Sequence, residues 1–363
     1  MKLIDRRDFM KAAGLAFAAS LAPRRLYAIE QTDAVFATAY QTKNGAYGVA
    51  VLSEDRRILF TTDLPDRGHD VTFDPIARRS VVFARRPGTF AVVFDHTGKT
   101  EPLTIASQPG RHFFGHGAFS PDGKLLYATE NDYENAAGMI GVYDAADGFR
   151  RVGEFPTHGM DPHEVLLLAD GRTLAVANGG VETHPDYGRA ELNITTMQPS
   201  LVFLDRETGD LREEHRLAPG LHQLSLHHLA EDASGAVWFG GQHKGPASER
   251  PPLVGKARLG SGVELLQMEP KVLNSLRNYI GAVEANRDAG TIGVSSPAGN
   301  SVAVIDAASG KVVLSTGLVE VCGLAPERGG FVASTGRGDV VDSNGKPTHF
   351  DDYAWDNHLL RIG

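Results

Sequence analysis

The chain has 363 residues, 42% hydrophobic and 22% charged, which supplies enough apolar material for a large buried core. Its net charge of −9 argues against a nucleic-acid or anionic-membrane partner, because both are recognised through a basic footprint. The single cysteine, Cys322, excludes an intramolecular disulfide, a CxxCH haem-attachment motif and a thiolate zinc site.

The first segment, "MKLIDRRDFMKAAGLAFAASLAPRRLYA", does not read as part of a fold. Arg6 and Arg7 precede Phe9, Lys11 and a modest apolar stretch from Ala12 to Ala22. This pattern resembles a bacterial Tat export signal, whose apolar region is too short to remain as a membrane-spanning helix. Cleavage is expected after Ala28, leaving residues 29–363 as one folded domain in the periplasm with no membrane span.

Beyond that point short strand signals dominate. "AVFATAY", "YGVAVLS" and "RILFTTD" give three strands, and then a phrase begins to repeat. His69 in "GHDVTFDP" lies 47 residues before His116 in "GHGAFSPDG", and His163 in "PHEVLLLADG" lies 47 residues beyond that. Each histidine opens a short apolar run that closes in a turn. After His116 the strands "AFSPDG" and "KLLYATE" are followed by two more in "MIGVYDAADGFRRVGEF". The third-strand ending recurs as "AVVFDHTGK", "LVFLDRETGD" and "VAVIDAASGK": β-branched residues, an Asp, then a turn ending in Gly. Four short strands per unit, repeated along the chain, are the mark of propeller blades of the WD40/YVTN-like kind.

First strands follow His69, His116, His163, His228, Ile280, Cys322 and His358, which makes seven. The three strands at the start of the domain have no inner strand of their own. The terminal "NHLLRIG" can supply it, so the expected fold is an all-β, seven-bladed propeller closed by pairing chain end with chain start. A two-sheet sandwich fits seven phased units poorly. Only "EPKVLNSLRNYI" reads as a turn or two of helix.

The first strand of a blade lines the central channel. His69, His116, His163, His227, His228 and His358 therefore stand where the chain enters those strands, directed to one mouth of the channel. His158 and His222 lie in the same approach loops. His184 and His243 fall between second and third strands on that face, whereas His96 and His215 fall toward the other side. Converging neutral imidazoles make poor core material unless something satisfies them, and a shared metal ion would. Glu164, Asp70, Asp356 and Asn357 adjoin these histidines and can orient the rings or complete coordination. Glu130, Asn131 and Asn178 end second strands on the same face. The candidate metal ligands are thus His69, His116, His163, His184, His227, His228, His358 and Glu164. Imidazole with carboxylate suits copper, iron or zinc. A purely structural histidine ring is the competing reading.

Residues 179–199, between a second and a third strand, form the longest loop on this face and carry His184, Tyr187, Arg189 and Met197. Such a loop can lid the channel. No nucleophile elbow, phosphate-cradling Gly loop or dinucleotide fingerprint is present, so no catalytic residue is assigned.

The Tat signal together with "GHGAFSPDGKLLYATEND", "GEFPTHGMDPHEVLLLADGRTLAVANGG", "THPDYGR", "TMQPSLVFLD", "LHQLSLHHLA" and "DNHLL" resembles an uncharacterised bacterial family of periplasmic seven-bladed propellers, a domain of unknown function. The likeness covers essentially the whole mature chain. Genes of that family often adjoin imelysin-like and dihaem-peroxidase-like genes, which implies periplasmic iron or copper handling alongside iron-uptake partner proteins. More distantly, His163 and the His227–His228 pair resemble the "PH" and "HH" motifs of the nitrous oxide reductase propeller. This chain lacks that enzyme's cupredoxin domain, so its reaction is not carried over. The expectation is a metal-binding protein of acquisition or handling; a metal-dependent oxidoreductase and a protein-docking scaffold remain the alternatives.

Overall fold

The computed structural model describes residues 34–74 and 76–362; the expected export signal lies outside them. Seven antiparallel sheets, each of four tiers, follow one another along the chain and form a seven-bladed propeller. Blades one to six start with the inner strands Gly68–Asp74, Arg111–Phe119, Pro162–Leu167, Leu224–Glu231, Ala282–Asn286 and Val321–Glu327. These are the expected first strands. The seventh blade combines the start of the chain, Phe36–Thr42, Tyr47–Leu52 and Ile58–Leu64, with an inner tier from its end, Tyr353–Trp355 and Leu360–Arg361.

Closure is antiparallel, with Tyr40 opposite Trp355 and Phe36 opposite Arg361. Ile362 N donates to Val35 O at 2.7 Å, and Thr38 Oγ1 donates to His358 O at 2.7 Å. The tail therefore carries a histidine into the channel while it locks the ring.

Strand composition follows position. The second strand Thr173–Asn178 is buried at every residue, because neighbouring blades cover both faces of the sheet. Arg150–Pro156, at an outer edge, only alternates between exposed and half-buried. Between blades four and five, Trp238 packs in a cluster with Leu276, Ile280, Ile292 and Ile305. Leu276 stands at the end of the one helix among the described residues, Pro270–Ser275, within the stretch expected to be helical.

The recurrent Asp after the third strand has a local reason. Asp205 Oδ1 accepts from Glu207 N at 3.0 Å and Thr208 N at 3.3 Å, and Asp306 Oδ1 accepts from Ser309 N at 2.8 Å. The carboxylate satisfies the amides of the turn, so the repeat seen in sequence is a turn device. Among the described residues no helix is long and apolar enough to cross a membrane.

Candidate metal centre

Five inner tiers carry histidine, and four of them share a backbone irregularity at that point. The ladder with the second strand slips between Gly68 and Val71, between Phe113 and Gly117, between Pro162 and Glu164, and between Leu226 and His228. A bulge breaks strict alternation and re-aims side chains. It lets neighbours such as His69 and Asp70, or His163 and Glu164, both serve the channel. Of the two blades without an inner histidine, blade five pairs without a slip and blade six slips between Val321 and Leu324, so the bulge is not confined to the histidine-bearing strands. Gly115 makes room for the turn of chain before His116: its φ is +108°, and a Cβ there would lie 2.3 Å from Cδ2 of His69.

Six imidazoles meet as a result. The His116 ring centre lies 4.9 Å from that of His69, 5.0 Å from His163, 5.6 Å from His228 and 4.8 Å from His358. His227 lies beside His163, tilted at 43° with ring centres 4.1 Å apart. Three groups bring ring nitrogens within 4.8 Å of one another: His69–His116–His163, His116–His228–His358 and His163–His227–His228.

The rings are held from outside the group. His116 Nδ1 meets Asp70 Oδ2 at 3.1 Å, His228 Nδ1 meets Glu164 Oε2 at 3.1 Å, and His227 Nε2 meets Ser225 Oγ at 3.0 Å. The two carboxylate contacts bridge blades one and two and blades three and four. Glu164 is therefore an orienting partner and not a member of the imidazole groups. Within the cluster five buried ring nitrogens have no hydrogen-bond partner among the described residues, Nδ1 of His69 and His227 and Nε2 of His116, His163 and His358; outside it His215 Nε2 and His243 Nδ1 are in the same condition. Lone pairs that converge without donors are what a cation would satisfy.

Burial sets the protonation. It holds His69, His116, His163, His227 and His358 well below the ordinary histidine range and brings His228 down to about 4. The rings are thus neutral ligands at neutral pH. Burial raises Asp70, and it raises Glu164 and Glu284 well above the usual carboxylate range, with repulsion from Asp70 adding to Glu164 and repulsion from Glu164 and Asp70 adding to Glu284. Glu284, from blade five, was not anticipated; its place at the third residue of an inner strand was the available signal. Burial also pushes the Cys322 thiol up to about 12, which leaves it protonated and unsuited to metal.

Five of the six histidines belong to the bulged inner strands and not to the loops before them, where the sequence reading set them, while His358 lies between the two strands of the tail. The cluster separates two cavities. One, about 540 Å³, has Asp70, Glu164, Glu284, His228 and His358 in its wall and reaches the turns at Pro121 and Gly171. The other, about 190 Å³, rests on His69, His163, His227 and His228 and is rimmed by Arg85, Arg86, Arg189 and Lys244. The long loop contributes Arg189 and Glu191 to that rim.

Other residues singled out in the sequence serve elsewhere. His184 is not brought to the cluster: its Nδ1 accepts from Asp186 N at 3.2 Å, capping a short 3-10 turn, and its ring packs on Tyr133. His243 pairs with Glu249, His222 contacts Pro219 O, and His158 is exposed. His96 stacks on Phe73 and His215 packs edge-on to Phe203, both away from the centre. Glu130 is buried against Tyr143 and Arg151, Asn131 binds His112, and Asn178 binds Ser200, so these three are structural.

Fold and site together define a seven-bladed propeller with a histidine cluster across its central channel. The chain belongs to the family described as protein of unknown function (DUF1513), whose model matches residues 62–362. No curated protein matches it. Among solved structures it is similar to the Kuenenia stuttgartiensis hydrazine synthase, with 16% identity, a TM-score of 0.57, and coverage of 84% of this chain and 89% of that one. A chain of a nidogen/laminin complex is similar at 15% identity and a TM-score of 0.52, covering 78% of this chain and 93% of that one. Identities this low speak for the fold alone.

Proposed function

We propose that this protein is a periplasmic metal-binding propeller that acquires or handles iron or copper, with the ion held by the central imidazoles. The observation that carries the reading is a cluster of six histidines that fall into three groups of ligand spacing and that leave five buried ring nitrogens without partners. His116, His163 and His228 would be the shared ligands, since each belongs to two of the groups, while Asp70 and Glu164 orient His116 and His228 from behind. Imidazole donors without thiolate suit copper and iron, and Cys322 stands apart as a protonated thiol. The twin-arginine segment supports export, and periplasmic iron-uptake proteins are the partners that this reading would supply.

A second reading, a metal-dependent oxidoreductase, is favoured by the cavity of about 190 Å³ that opens directly onto four of the imidazoles. Catalytic metal sites keep such an open position. Elemental analysis of the protein purified from its native compartment, with visible and EPR spectra, separates the readings. Weakly held, exchangeable iron or copper supports handling, and tight stoichiometric metal that cycles with reductant supports the enzyme. Protein that neither carries nor takes up metal would overturn both and leave a docking scaffold.

A further inference from the structure

The smaller cavity has a charge imbalance that the imidazole cluster does not explain. On a chain of net charge −9, its rim gathers Arg85, Arg86, Arg189 and Lys244 over a floor of neutral rings. Three of these cations are answered by carboxylates. Arg85 lies 3.6 Å from Asp356, Arg86 lies 3.4 Å from Asp161, and Lys244 meets Glu191 at 2.7 Å. Asp356 is shared with a further cation, Arg67. Arg189 is different. Among the described residues its guanidinium reaches no carboxylate, and its one side-chain hydrogen bond goes to Arg86 O at 3.4 Å. Arg189 stands at the exposed mouth of the cavity, where partial desolvation together with repulsion from Arg85, Arg86 and Arg67 disfavours its charge.

A guanidinium held near other guanidiniums without a counter-charge has a vacant fork of donors, and that fork matches an oxyanion with two adjacent oxygens. Two contacts tie this part of the loop to the rim: Lys244 pairs with Glu191, two residues beyond Arg189, and Arg189 itself donates to the Arg86 carbonyl. Gln242, Tyr279 and Asn357 add neutral polar groups to the wall.

We propose that this cavity is a binding site for a small oxyanion carrying at least two negative oxygens, a polycarboxylate or a phosphate, with Arg189 as its main partner and Arg85 and Lys244 beside it. The site goes beyond metal binding. It places an anion directly over the imidazoles, so the molecule delivered to the centre, or acted on there, would approach as an anion. The rim geometry alone supports it, whether or not the rings hold an ion.

Calorimetric titration of the metal-free full chain with citrate and, separately, with inorganic phosphate tests the site and distinguishes the two sources of oxyanion. Working without metal keeps citrate's own chelation out of the measurement. At least one anion should bind, more weakly as sodium chloride is added. Arg189→Gln should weaken binding roughly tenfold or more, as expected for loss of a charge-assisted hydrogen bond. It strands no carboxylate, so thermal melting should stay at the wild-type value. Lys311→Gln, exposed on an outer turn, should leave anion affinity unchanged. Absence of binding by both anions at millimolar concentration, or equal binding by Arg189→Gln, overturns the proposal. Titration with metal alone addresses the imidazole centre separately, so failure of one site is not mistaken for failure of the other.

Discussion

His116 is within 5.6 Å, ring centre to ring centre, of His69, His163, His228 and His358, and His163 is within the same distance of His69, His116, His227 and His228, so these two rings bridge the group. Replacing His116 and His163 together by Ala should therefore lower metal affinity by about 100-fold or more, since even a displaced supporting partner costs roughly 10–100-fold. The pair His96→Ala and His215→Ala, outside the centre, should leave it within about twofold. Metal titration of both variants checks this. A purely structural ring predicts a different pattern: the central double variant would then lose stability even in chelator, at roughly 1–3 kcal/mol per stranded partner, with no change in metal binding. Glu284 offers a second test at this scale. Burial beside Glu164 and Asp70 raises its pKa, so ionising it at neutral pH opposes folding. Glu284→Gln should raise the melting temperature of metal-free protein near pH 8, and the gain should shrink toward pH 4, where the unfolded carboxyl is protonated as well. Melting curves at the two pH values suffice; a variant equally stabilised at both would place Glu284 in solvent.

The element that joins ring closure to the centre is the C-terminal strand. Residues 356–362 pair with the first strand of the domain, and His358 enters the cluster from that same segment. Gly323, in blade six, allows the close approach, because a Cβ there would lie 2.3 Å from Leu359 N. Deleting residues 356–363 should leave two strand edges open and cause aggregation or a broad, less cooperative melt. It should also abolish the spectroscopic signature of bound metal. A truncated chain with unchanged melting would contradict the closure. Much of this level was readable in the sequence: the 47-residue spacing of His69, His116 and His163, the Asp-to-Gly turns, and a terminal "NHLLRIG" that lacked a blade of its own. The bulges were not readable. A slipped register has no composition of its own, and it is what carries the rings from the loops into the channel and turns Glu164 toward His228. His184 was misplaced for a related reason: its loop covers the mouth with Arg189 and Glu191, while His184 caps a turn beside Tyr133. The rim cations were also hidden, since Arg85 and Arg86, Arg189 and Lys244 come from three segments far apart in the chain that meet only in the folded ring.

For the whole molecule, the channel sets two titrations against each other. The six central imidazoles have pKa values depressed by burial, His228 to about 4, against an ordinary value near 6.5. Between those limits the unfolded chain takes up protons that the folded chain refuses. Their contribution to stability is therefore full above about pH 6.5 and is lost as pH falls toward 4. Asp70, Glu164 and Glu284 act in the opposite direction: with raised pKa values, they favour the folded state at low pH and lose that contribution as pH rises above about 4. With six imidazoles against three carboxyls the first effect should dominate, so metal-free protein should melt at progressively lower temperature from pH 7 to pH 4.5. Each proton of difference between the folded and unfolded states contributes about 1.4 kcal/mol per pH unit. The His116→Ala, His163→Ala variant, which lacks two of the refusing groups, should show a slope shallower by up to about twice that amount. Bound metal should leave the slope between pH 7 and 4.5 nearly unchanged, because the folded rings are already free of protons there, and should steepen it only at lower pH, where protons compete with the ion for the same nitrogens. That competition should begin well below pH 6.5, since free ring nitrogens already held neutral by burial need more acid to protonate. Melting and metal titration across this range measure both effects together. An acid slope unchanged by the double substitution would mean that the rings are as well solvated in the folded chain as in the unfolded one.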